Sequence, residues 1–169
     1  GERLKDKVAV ITGGTSGIGE TTVELFVDEG ARVVFCGRTV EKGQAIADRI
    51  GENAHFVKAD VMSEADIKST IDTAMEKFGR LDILFNNAGG NTYGPITEVT
   101  EDSINYAMQL LFNSVVLGIK HAVPHMQKQG DGVIINNSSV AAIRYGQSDL
   151  LYSSAKAALT HYSKLAGVE

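Results

Sequence analysis

Tyr152 and Lys156 stand four residues apart in Tyr152-Ser-Ser-Ala-Lys156, and Ser139 lies thirteen residues before the tyrosine. On a helix, positions i and i+4 share a face, so phenol and ammonium project together. A free phenol titrates near pH ~10 and is a poor base at neutral pH. An ammonium held beside it favours the phenolate and lowers that pKa. A serine hydroxyl at a nearby strand end can hold a carbonyl or alcohol oxygen. These three groups are what proton transfer to or from a C–O oxygen requires. Tyr and Lys at this spacing also meet on ordinary helix surfaces, so the pair gains meaning only from the elements that position it.

Those elements alternate. Short apolar runs predict buried strands at Val8–Ile11, Arg32–Cys36, His55–Lys58, Leu81–Phe85 and Val133–Asn136. Amphipathic stretches between them predict helices over Gly17–Glu29, Glu41–Ile50, Glu64–Phe78, Ser103–Gln129 and Leu150–Leu165. Gly30, Gly51, Gly79 and Gly130 follow four of these helices, where left-handed stops belong. Near-continuous apolar strands are buried on both faces. Alternating βα units therefore give an α/β fold with a parallel, doubly wound sheet, read here as a single domain over residues 1–169.

The first strand runs into Thr12-Gly13-Gly14-Thr15-Ser16-Gly17-Ile18-Gly19. Glycines at this junction let the backbone turn tightly and approach a pyrophosphate, while the helix N-terminus offers free N–H donors. The spacing Gly13-x-x-x-Gly17-x-Gly19 differs from the G-x-G-x-x-G fingerprint, and no Gly-Lys-Ser/Thr follows, which disfavours phosphoryl transfer. Dinucleotide binding is the reading its position favours over a turn that merely packs.

Composition excludes other classes. Hydrophobic content of 43% and charged content of 22% describe an ordinary globular chain, and a net charge of −5 argues against nucleic acid as a partner. Cys36 is the one cysteine, set in an apolar run, so no intramolecular disulfide can form and no Cys/His metal spacing exists. No apolar stretch is long enough to span a membrane, and no signal-peptide core precedes the first strand. These features predict a cytoplasmic setting with no metal.

Five elements occur in order: Thr12-Gly13-x-x-x-Gly17-x-Gly19, Asn86-Asn87-Ala88-Gly89, Asn113, Ser139 and Tyr152-x-x-x-Lys156. On them the chain resembles the classical short-chain dehydrogenase/reductase family from about residue 5 to residue 169. The resemblance implies a Rossmann-type sheet of strand order 3-2-1-4-5. It implies Tyr152 as acid/base, Lys156 as the group that lowers its pKa and bonds the nicotinamide ribose, and Ser139 as holder of the substrate oxygen. Ser138 competes with Ser139, but the small-residue turn Val140-Ala141-Ala142 suits Ser139. Asn113 resembles the asparagine that connects the lysine to solvent through water. Cofactor contacts would come from Gly13, Thr15, Ser16, Gly17, Ile18 and Gly19, from Asp60 and Val61 at the adenine, from Asn87, Ala88 and Gly89, and from Tyr152 and Lys156.

Cofactor choice is read after the second strand, in Phe35-Cys36-Gly37-Arg38. An acid at that strand end would hold both ribose hydroxyls of NAD. Gly37 stands there, and the Arg38 guanidinium suits a 2′-phosphate, so NADP is expected, with NAD the alternative. Ser16 occupies the place where a second basic residue sometimes precedes the middle glycine. For the substrate, a small-molecule carbonyl or alcohol, Ala141, Ile143, Tyr145, Leu150 and Leu151 suggest a partly apolar pocket, with Gln147 as a possible hydrogen-bonding group. His121, His125 and His161 are expected on helix surfaces away from the chemistry.

The expected activity is interconversion of a secondary alcohol and a ketone with NADP(H). The alternatives are an NAD-preferring alcohol dehydrogenase of the same family and a non-catalytic dinucleotide-binding regulator or scaffold. The Tyr–Lys spacing disfavours enoyl reductases, and the glycine spacing disfavours extended epimerases. Family members commonly run further, through sixth and seventh strands that are missing from this sequence, so a longer native chain is expected. A lone 169-residue piece would leave the fifth strand uncovered. The resemblance implies a homotetramer or dimer through the two long helices; Ala107, Leu110, Leu111, Val115, Ala157, Ala158 and Leu159 permit this and equally permit ordinary packing on the sheet.

Overall fold

A computed structural model describes all residues, 1–169. Five parallel strands lie in the order β3-β2-β1-β4-β5: β1 Val8–Ile11, β2 Arg32–Gly37, β3 Ala54–Lys58, β4 Ile83–Asn86 and β5 Val133–Asn136. Helices α1 (Gly17–Asp28), α2 (Val40–Ile50), α3 (Glu64–Phe78), α4 (Glu101–Met108), α5 (Ser114–Gln129) and α6 (Leu150–Ala166) fill the crossovers and follow the last strand. This is the doubly wound architecture that the alternation predicted.

Strand periodicity sorts the core onto two faces. Val8, Val10 and Val34 point to one side and join Ile67 and Ile71 of α3 with Ala122 and Met126 of α5. Ala9, Ile11, Val33 and Phe35 point to the other and meet Val23 of α1 and Ile46 of α2. Burial on both faces explains why these strands read as unbroken apolar runs. β5 differs. Its Ile134 packs inward, but Val133 and Ile135 are 52% and 42% exposed, as anticipated for the outer strand of this piece.

Two local readings need correction. The stretch 103–129 is not one α-helix: a π-turn over Gln109–Asn113 separates α4 from α5, and Ser114 N reaches back to Gln109 O. Such an insertion is invisible to a 3.6-residue periodicity, because the apolar face continues through it. Gly79 and Gly130 are left-handed caps, with φ of 72° and 81°. Gly51 instead ends α2 at φ 102°, ψ −163°, a conformation reserved for glycine, and Gly30 follows the cap residue of α1. Ala107, Leu110, Leu111, Val115 and Leu159 are buried within the chain itself, packing the α4–α5–α6 layer on the sheet, whereas Ala157 is exposed. Cys36 is fully buried, and burial pushes its thiol up to about 11.

Asp82 immediately precedes β4 and illustrates how the sheet is pinned. Its buried carboxylate accepts from Val8 N at 2.8 Å and from Arg80 at 2.8 and 2.5 Å. Burial works to raise its pKa, but the Arg80 guanidinium and the Val8 N–H outweigh burial and hold it below the ordinary carboxylate value. Asp82→Ala leaves the first N–H of the central strand unpaired and should cost about 1–3 kcal/mol in urea unfolding at neutral pH. Because the folded carboxyl titrates below the unfolded one, its contribution is full above pH ~4 and fades as the pH falls through the folded value. Wild-type and variant stabilities should therefore converge in acid.

Candidate active site

Parallel strands deliver all their following loops to one edge of the sheet. The order changes direction between β1 and β4, and a crevice opens there. At its centre Thr12, at the end of β1, is buried. Its Oγ1 accepts from Asn87 N and Ala88 N, both at 3.0 Å. The Asn87 amide donates back to Thr12 O and Gly13 O at 3.2 and 3.3 Å. Asn137, after β5, donates to Asn87 Oδ1 at 3.0 Å, and Lys156 Nζ donates to Asn137 O at 2.7 Å. One chain of hydrogen bonds thus runs from the glycine loop to the lysine.

The glycine loop is close-packed. Gly13 has φ +64°, and a Cβ there would lie 2.8 Å from Ala88 Cα. A Cβ on Gly19 would stand 2.0 Å from Gly13 O and 2.7 Å from Asn87 Nδ2. Gly17 has φ +52° and faces open space, so its requirement is conformational. Ser16 makes no side-chain cap on α1, whereas Ser63, Thr100 and Asp149 cap α3, α4 and α6. The first N–H groups of α1 are therefore left for an anion.

A cavity of about 600 Å³ is lined by Gly13, Ser16, Ile18, Asn87, Ala88 and Gly89, and further along by Ser139, Tyr152 and Lys156. A narrower groove continues from Gly13, Ser16, Ala88 and Gly89 past Thr15 to Arg38, Asp60 and Val61. Every predicted cofactor contact lines this trough except Gly17, which shapes it, and Gly19, which packs beneath it.

Lys156 is 5% exposed, and burial lowers its pKa. Its Nζ lies 5.7 Å from the centroid of the Tyr152 ring. Asn137 O satisfies one of its three N–H groups, so the cavity side retains donors for ligand hydroxyls. Ser138 Oγ is engaged with Thr160 Oγ1 at 2.5 Å. Ser139 Oγ accepts from Ala141 N at 3.1 Å, and its own proton stays available to the cavity. Asn113 ends the π-turn, is exposed, and is neither bonded to Lys156 nor part of the cavity wall. His121 bonds Glu64 at 2.9 Å, and none of the predicted surface histidines reaches the cavity.

The expected apolar substrate pocket is not formed by the residues proposed for it. Ile143, Tyr145 and Leu150 are exposed, Ala141 is buried, and Leu151 packs toward Gly94. The wall beyond Tyr152 consists of Asn91, Thr92, Gln147, Ser148 and Asp149. Sequence reading missed Thr92, Asp149 and Asn137. Asp149 precedes a helix start and carried a cap signal. Asn136-Asn137 repeats Asn86-Asn87 at the end of a paired strand, with Asn86 opposite Asn136.

Comparison with known proteins bears directly on this arrangement. A sequence model described as short chain dehydrogenase matches residues 7–169. The chain belongs to the short-chain dehydrogenase/reductase family. Tropinone reductase-like 1 of Erythroxylum coca is 36% identical over 167 residues, covering 96% of this chain and 61% of that protein. Momilactone A synthase of Oryza sativa subsp. japonica is 37% identical, covering 99% and 62%. A probable galactose dehydrogenase of Rhizobium meliloti is 34% identical, covering 97% and 66%. The chain thus spans about three fifths of the length of these relatives. Membership of this family implies a nicotinamide dinucleotide. The free lysine donors, the uncapped α1 and the glycine cradle fit that group. No helix is long and apolar enough to cross a membrane.

In a short-chain dehydrogenase/reductase cradle this tight, Gly19→Ala must displace backbone. Overpacking of that kind costs about 1–3 kcal/mol, so dinucleotide affinity measured by calorimetry should fall roughly tenfold or more. The same substitution at Gly79, which has open space around it, should leave affinity unaltered.

Proposed function

We propose that this chain carries the catalytic half of an NADP(H)-dependent oxidoreductase that interconverts a secondary alcohol and a carbonyl. The observation that carries the proposal is the buried Lys156 ammonium beside the Tyr152 ring, at the mouth of a trough that ends in Arg38. When bound, the nicotinamide supplies or takes the hydride. Tyr152 holds the proton that goes to the carbonyl oxygen in reduction and comes back in oxidation. Lys156 stabilises the deprotonated phenol electrostatically and offers its free donors to the ribose. Ser139 donates its hydroxyl to the substrate oxygen as charge develops there. Asn113 is proposed to act on Lys156 through an intervening water, a role that rests on the family resemblance alone.

The preference for the phosphorylated cofactor rests on the far end of the trough. Gly37 provides no carboxylate, and a Cβ there would stand 2.6 Å from Thr15 Cγ2, so Thr15 fills the room that an acid would need. Arg38 and Lys58 share a cavity with Asp60 and Asp66, and neither cation has an ion-pair partner. The two acids are turned to backbone: Asp66 accepts from Asp60 N and Asp60 from Met62 N. The acids balance the two cations in number, but Arg38 makes no ion pair, so its guanidinium fork is open to a phosphate. The protein is further proposed to work in the cytoplasm as a homo-oligomer.

Tyr152→Phe in the full-length protein should lower kcat by roughly 10²–10⁴ and leave NADPH affinity within a few-fold. Retained turnover would remove Tyr152 from the mechanism. Arg38→Ala should raise the KM for NADPH about tenfold or more while leaving that for NADH nearly unaltered, a charge-assisted contact being lost only with the former. A wild-type preference for NADH in kcat/KM would overturn the cofactor assignment.

A further inference from the structure

Asp149 occupies an unusual crossing point. Its Oδ1 accepts from Leu151 N and Tyr152 N, both at 3.0 Å, and so caps α6 in the very turn that bears the tyrosine. The same carboxylate receives the Thr92 hydroxyl, at 2.8 Å from Oδ1 and 2.9 Å from Oδ2. Thr92 belongs to the loop after β4, fifty-seven residues away in sequence. Both residues line the large cavity, on the wall beyond the tyrosine. A second contact joins the same two segments: Gly94 is buried, and a Cβ on it would come within 2.7 Å of Val99 and 3.1 Å of the Leu151 side chain.

We propose that Asp149 and Thr92 form a positioning clamp for Tyr152. The clamp rests on the reading of Tyr152 as the acid/base and assigns it a support that the catalytic residues do not provide. Lys156 sits one turn further along α6 and fixes the helix to Asn137. That anchor leaves the first turn free to fray, because helix ends lack internal partners. The carboxylate supplies two of those partners and ties them to the opposite wall of the cavity through Thr92. Asp149 touches neither hydride nor proton. Its effect is to hold the phenol oxygen at the distance at which transfer occurs, and a misplacement of about 1 Å there costs on the order of a hundredfold in rate.

Three variants of the full-length protein test this. Asp149→Ala should lower kcat roughly ten- to a hundredfold, with NADPH affinity unaltered, because the cofactor trough lies on the other side of Tyr152. Asp149→Asn should restore most of that loss, since its carbonyl still accepts both N–H groups and its amide still meets Thr92 Oγ1. Thr92→Val keeps the helix cap but cuts the tether, and should lower kcat in the same direction with a melting temperature near that of wild type. Amide hydrogen exchange supplies a readout independent of turnover. In Asp149→Ala and Thr92→Val, both the first turn of α6 and the 90–95 loop should exchange faster. Should exchange quicken in both segments while kcat stays at the wild-type value, the clamp is structural only and the proposal fails. Unaltered exchange in Thr92→Val would equally overturn it. If Asp149→Ala does not fold, Thr92→Val and Asp149→Asn still decide. Full activity in Tyr152→Phe would instead remove the acid/base reading itself, a separate result.

Discussion

The hydrogen-bond chain Thr12–Asn87–Asn137–Lys156 is the constraint on which the site depends. Three strands, β1, β4 and β5, end side by side, and their loops would otherwise diverge. Short polar side chains with both donors and acceptors close the gap. Asn87 alone contacts the loops after β1 and β5. Because Thr12 and Lys156 are buried, breaking one of their bonds leaves a polar group with little water to replace it, at a cost larger than the bond's net worth. The trough and the Tyr152–Lys156 pair are therefore held in a common frame.

That frame explains two features that look unrelated. Gly13 and Gly19 must lack side chains because the loop they form is pressed against Ala88 and Asn87. Lys156 can be buried because Asn137 O meets one of its protons where the charge would otherwise be unpaired. The burial that depresses its pKa also places its positive charge where little solvent screens it, next to the Tyr152 ring. One trough thus carries the Lys156 ammonium at one end and the Arg38 guanidinium, free of an ion pair, at the other.

The α4–π–α5 segment shows how the fold accommodates α6. α6 crosses the π-turn, where Phe112 and Tyr162 meet edge-on with centroids 5.8 Å apart. The extra residue in the turn sets Asn113 at its end while keeping Leu110 and Leu111 in the core. Such insertions recur next to functional sites because they re-aim one residue without ending the helix.

Much of this was legible in the residues. Strand runs, helix spans and glycine positions dictate the parallel, doubly wound sheet, since backbone periodicity and chain reversal are local properties. The glycine loop, Arg38, Ser139, Tyr152 and Lys156 were identifiable by type and spacing. Other features depended on contacts between distant segments, which no window of sequence contains. The engagement of the Ser138 hydroxyl with Thr160 is one of them. The polar character of the wall beyond Tyr152 follows from how the loops after β4 and β5 fold back, leaving Ile143 and Tyr145 outward. The same holds for the apolar helix residues Ala107, Leu110, Leu111, Val115 and Leu159, which sequence allowed on an interface or on the sheet and which the chain buries in its own core. Sequence by itself determined which chemistry Tyr152 and Lys156 could perform. Tertiary structure decided which groups surround them, because a side chain's partners are set by where separate strands end in space.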